Sequence, residues 1–148
     1  MYKILLFVHV MAAIALLGPT YLAPVLAKMR GNPPSPAILW VEAAMHRYGT
    51  AFVVVALLSG GWLIGVSPVT KDAFGEAQWL HLGMFLFFVA AGLVTGFIGP
   101  RLKKALAAVD RGDGETAAQL LEPVDKVVGP ILGVTAAVIV YLMIAKPF

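Results

Sequence analysis

Four long apolar runs, separated by short polar or Pro/Gly-rich segments, account for most of this chain. They cover residues 2–27, 49–66, 77–99 and 127–145, each close to the ~20 residues that a bilayer core requires. The pattern predicts an all-α membrane protein: one four-helix transmembrane bundle over residues 1–148, with up-down-up-down topology. Residues 31–36, with Pro33 and Pro34, read as a loop. The second helix should begin ahead of its apolar run, with Ser35 at the cap and Pro36 in the first helical position. Past Pro100 the third helix continues, and the Arg111-Gly112-Asp113-Gly114 turn starts another short one. The segment 101–122 is therefore a cytoplasmic helical hairpin with mixed charge, and Pro123 and Pro130 are expected to kink the run into span 4. The first run is too long for a signal-peptide core, and Pro24 and Lys28 make a poor cleavage site. It reads as the first span.

Composition agrees. The 148 residues are 60% apolar and 13% charged, against about 45–50% and about 25% in soluble domains. The net charge of +3 gives no reason to expect a nucleic-acid partner. With both termini outside, Lys28, Arg30, Arg47, Arg101, Lys103, Lys104, Arg111 and Lys126 lie in the cytoplasm and only Lys3, Lys71 and Lys146 lie outside. The positive-inside bias favours that orientation, in a bacterial inner membrane. The absence of cysteine excludes disulfides, iron–sulfur clusters, thiolate zinc and covalent haem attachment. Three glycine pairs at four-residue spacing (Gly61/Gly65, Gly92/Gly96, Gly129/Gly133) are expected to bring helices together inside the bundle, with a homo-oligomer as the alternative. Trp62, Trp79 and Tyr141 are expected at the outer membrane boundary and Trp40 at the inner one.

Two histidines carry the chemistry. Phe7-Val8-His9-Val10 and Trp79-Leu80-His81-Leu82 repeat the order aromatic, aliphatic, histidine, aliphatic in spans 1 and 3. An ionisable side chain is costly in lipid, so each needs a partner or a task. Spans 1 and 3 run in the same direction and face each other diagonally, which places both imidazoles in the outer leaflet with room for a flat macrocycle between them. Haem b, ligated by His9 and His81, fits without any cysteine. The second ring nitrogens would need partners, for which Ser59, Tyr141 and carbonyls near Gly83 are candidates. Lys3 and Lys71 could meet haem propionates. Copper is the rival, with Met84 one turn after His81 among the six methionines. Structural hydrogen bonding between helices is the third reading. His46, one turn after Glu42, is expected to pair with that carboxylate at the inner interface.

The span 1 histidine, Tyr21-Leu22-Ala23-Pro24, Trp79-Leu80-His81 and the terminal Lys146-Pro147-Phe148 together resemble the HemJ-type protoporphyrinogen oxidases of bacterial membranes. The chain is also similar to an uncharacterised group of bacterial four-helix integral membrane proteins and, more distantly, to CopD-like copper-resistance domains. The resemblance spans nearly the whole chain and implies a haem-b site with His9 and His81 as ligands and a porphyrin as substrate; the histidine pair by itself leads to the expectation of electron transfer between a quinone or periplasmic donor and another acceptor. Two basic residues of the HemJ pattern are missing: Gly83 stands where the family has lysine, and Val25 follows Pro24 where it has arginine. The resemblance thus implies the fold and the haem site more than the oxidase reaction.

Overall fold

The computed structural model describes residues 1–68 and 74–146, all helix apart from short turns and caps. Helix α1 runs Tyr2–Arg30 and α2 runs Pro36–Val66. The third rod is α3 (Gln78–Gly92), a π-turn (Leu93–Ile98) and α4 (Gly99–Asp110). The fourth is α5 (Gly114–Pro123), a second π-turn (Val124–Val128) and α6 (Gly129–Ala145). All four rods are long and apolar enough to cross a membrane. The chain is therefore a multi-pass membrane protein built as an all-α four-helix bundle. Lys71 and the Pro147-Phe148 ending lie outside the described residues.

Sequential rods are neighbours: α1 packs on α2, α2 on the third rod through its π-turn and α4, α3 on α6, and α6 back on α1. Spans 1 and 3 thus occupy one diagonal. The outward faces are hydrocarbon, with Ile4, Leu58, Val134 and Ile144 among the most exposed side chains. In water such a surface would be untenable, whereas in lipid it costs nothing.

Both π-turns sit immediately before a Gly-Pro pair. Proline has no N–H and its ring crowds the carbonyl four residues back. The wider turn relieves this: the Gly99 amide bonds Val94 O and the Gly129 amide bonds Val124 O, five residues back in each case. The rods therefore continue through Pro100 and Pro130. Pro19 and Pro24 likewise lie within an unbroken α1.

At the end carrying the 31–35 loop, here the hairpin end, Leu39 meets Leu102, Ala105, Ala108, Ala117 and Leu121 in a small alanine-rich core. This core fastens α2 to the α4–α5 hairpin. Asp113 caps α5 by accepting the Thr116 amide, and hydrogen bonds from Thr116 hold its carboxyl below the ordinary aspartate range. At the opposite, termini end, Ala77, Trp79, Leu80 and Leu142 join α3 to α6. Trp79 is only 8% exposed there, beneath the Lys146 ammonium, so it is a packing residue rather than a membrane-boundary anchor.

The glycine pairs do not make the close helix contacts expected of them. A Cβ at Gly61, Gly65, Gly92, Gly96 or Gly133 would meet nothing within 4 Å, and one at Gly129 would meet only its own Val124 carbonyl. The close approaches fall instead at Gly60, Gly83 and Gly99, where a neighbouring helix sends a side chain against the backbone, and at Gly114, which meets Pro33 of the loop.

Leu39, fully buried, should cost about 2–5 kcal/mol when truncated to alanine. Leu58→Ala, at a position 67% exposed on the lipid face, should move the thermal unfolding midpoint of the detergent-purified protein far less. Equal shifts would contradict the packing described.

Candidate functional site

His9 is turned toward α2. Its Nδ1 lies 3.1 Å from Ala56 O and 3.1 Å from Ser59 Oγ. A carbonyl only accepts, so Nδ1 carries the proton, and Ser59 has committed its own hydrogen to Val55 O at 2.6 Å. Both contacts therefore use one N–H, and the Nε2 lone pair is left for another partner. A metal-ligating histidine shares this arrangement, and so does a histidine that only bonds two helices together. Gly60 makes it possible: a Cβ there would stand 2.9 Å from His9 Cε1.

His81 is placed differently. It is exposed, on the side of α3 that also carries exposed Phe85 and Phe88, and its ring meets Phe74 edge-on at 4.8 Å between centroids. Among the described residues no hydrogen bond or ring contact joins His81 to His9. The two histidines occupy diagonal rods, but the rings do not touch. Met84 packs against the α3–α6 cluster, with its side chain given to the core. Among the described residues no group of three or more histidine and carboxylate side chains gathers as a metal cluster would. A side chain at position 83 would run against Met143, whose Cε is 2.9 Å from an ideal Cβ there.

The hairpin half holds a second feature that the sequence did not announce. Arg30 is 6% exposed and forms ion pairs with both Glu42 and Asp125, tying together α1, α2 and the π-turn of the fourth rod. Glu42 is thus engaged by Arg30, and among the described residues no hydrogen bond or ion pair joins it to His46. The reason is geometric. The guanidinium at the end of α1 reaches the inner face of α2, where it can fork between two carboxylates.

Above this cluster lies a cavity of about 180 Å³, walled by all four rods. Its sides are aliphatic and aromatic, with Leu16, Val53, Phe87 and Ala136 among them; Arg30, Glu42, Asp125 and His46 supply its polar end. At ~24 cal/mol per Å³, an empty apolar void of that volume would cost on the order of 4 kcal/mol. A separate polar pocket opens on the far side of the cluster, between the 31–35 loop and α5, and shares Arg30 and Asp125 with the cavity. The Arg30–Asp125 pair is the partition between them.

No family model, curated protein or solved structure matches this chain. Its functional reading rests on the geometry above.

Arg30→Met would leave two carboxylates facing each other in a low-dielectric setting. Removing one member of a buried ion cluster costs about 3–5 kcal/mol, whereas replacing the whole cluster by apolar residues is often neutral. Arg30→Met alone should therefore destabilise strongly, and the triple variant Arg30→Met, Glu42→Leu, Asp125→Leu should recover most of the loss in a thermal unfolding assay. A triple variant no better than the single one would show that the cluster is a net source of stability.

Proposed function

We propose that this chain is a haem-b-binding protein of the bacterial inner membrane that passes electrons, with both termini outside. The observation that carries the reading is the 3.1 Å contact of His9 Nδ1 with Ala56 O, which assigns the proton to Nδ1 and leaves the Nε2 lone pair for a ligand. Exposed His81, on the diagonal rod, is the candidate second ligand. His9 would hold the group by a ring nitrogen, and exposed His81 would have to turn from the outer side of α3 to supply the second nitrogen donor. When bound, haem supplies reversible one-electron chemistry.

The cavity of about 180 Å³ is too small for a porphyrin macrocycle, and His9 does not line it. The haem reading therefore belongs to the termini half, separate from the cavity. Lys3 is near that end for a propionate. Copper draws less support, because Met84 is spent on packing. The HemJ-like oxidase reaction also draws little, because Gly83 and Val25 stand where that family carries lysine and arginine.

Protein purified with haem supplied should show a Soret band and a reduced-state α band. Both should be lost in His9→Ala and weakened in His81→Ala, with the thermal midpoint recorded beside them. Wild-type protein that stays colourless after haem addition would end the reading. Orientation is open to a direct test because the chain has no cysteine. Lys3→Cys should react with a membrane-impermeant maleimide added outside intact spheroplasts, and Asp110→Cys should react only after lysis. The reverse pattern would invert the topology.

A further inference from the structure

The geometry points to a second site: we propose that the cavity at the hairpin half binds the head ring of a membrane quinone, with His46 as the hydrogen-bond partner of a ring oxygen. The inference deepens the electron-transfer reading by naming a partner and its place, but binding itself does not require haem.

Size selects the ring. An apolar cavity of about 150 Å³ holds one benzene molecule, so about 180 Å³ suits a single substituted six-membered ring. The chemistry of the walls then selects its charge. Arg30 is already shared by two carboxyl groups, so the cluster has no free positive charge to attract a carboxylate or phosphate headgroup. A permanent cation would lose its water against walls that beyond the polar end are carbon apart from Thr20. A neutral ring with oxygen substituents meets neither objection.

His46 supplies the polar contact. Its ring is half-buried on the cavity wall and makes no hydrogen bond among the described residues. Yet no fully buried side-chain nitrogen or oxygen there lacks a partner, so its ring nitrogens keep some accessible surface. The ring is held against the π-turn rod, where a Cβ at Gly99 would stand 2.7 Å from Nε2. An imidazole fixed in this way can donate to a quinone carbonyl or accept from a quinol hydroxyl. A lipid acyl chain in the same space would leave it unpaired.

The test uses the full-length protein in phosphatidylcholine nanodiscs, as haem-free and haem-supplied preparations, with an azidoquinone photolabel mapped by mass spectrometry. Labelling should fall on α1, α2 and α6 peptides that wall the cavity. It should drop at least tenfold with excess decylubiquinone and persist with 1-decanol. Ala91→Phe, which puts bulk into the cavity from the third rod, and His46→Leu should each lower labelling about tenfold, while His46→Gln keeps most of it. Labelling that 1-decanol removes equally would identify an acyl-chain pocket and overturn the proposal. So would labelling that Ala91→Phe leaves unchanged, a result that holds even if His46→Leu fails to fold. Labelling in the haem-free preparation supports this site whatever the absorption spectrum shows, and absence of labelling in a protein with an intact Soret band defeats this site alone.

Discussion

The ion cluster of Arg30, Glu42 and Asp125 is the constraint on which the hairpin half of this protein depends. Three rods contribute one member each, so none can rotate or slide without breaking an ion pair of the cluster. In a bilayer the hydrophobic effect does not hold helices together, because lipid tails are as apolar as leucine. Position must come from packing and from polar contacts with a defined geometry. Here a forked guanidinium provides that geometry, and the alanine-rich core around Leu39 fixes the same end from outside the cluster.

A second device recurs in both halves. His9 lies against Gly60 and His46 against Gly99, each on the helix next in the ring of rods. A flat imidazole needs a missing Cβ to come so close to a backbone, and the glycine in turn fixes the plane of the imidazole. The π-turn before Gly99 is part of this arrangement, since it shifts the register of α4 relative to α3 just where His46 docks. Proline, glycine and histidine, usually disruptive within a span, together define one side chain's position.

Much of the fold was legible because hydrocarbon thickness sets helix length and proline and glycine mark the ends. Four spans, the Ser35-Pro36 start of α2 and the Arg111–Gly114 turn all follow from those rules. Ser59 was among the partners that the sequence offered for His9, unranked beside Tyr141 and the carbonyls near Gly83. The cavity was not legible, because a void is a property of four helices at once. Nor was the ion cluster: Arg30, Glu42 and Asp125 each look like ordinary loop-side charges, and only the crossing of α1 over α2 and the second π-turn makes them converge. The glycine pairs misled for a related reason. Spacing shows that two glycines share a face, but not whether that face meets a helix or a lipid.

Stability alone does not explain the hairpin half. A buried charge triad can often be replaced by apolar residues without loss, and a cavity of this size costs stability to the extent that nothing fills it. Filling the cavity with larger aliphatic side chains from Ala90, Ala91 and Ala136 would remove the void and isolate the cluster from it. The chain instead keeps small residues at those positions, polar groups at one end and aliphatic walls along the rest. That combination destabilises an empty bundle and stabilises one holding a neutral molecule with a polar edge. The proposed occupant would fill that space, while the ion cluster beside it still sets the positions of the three rods.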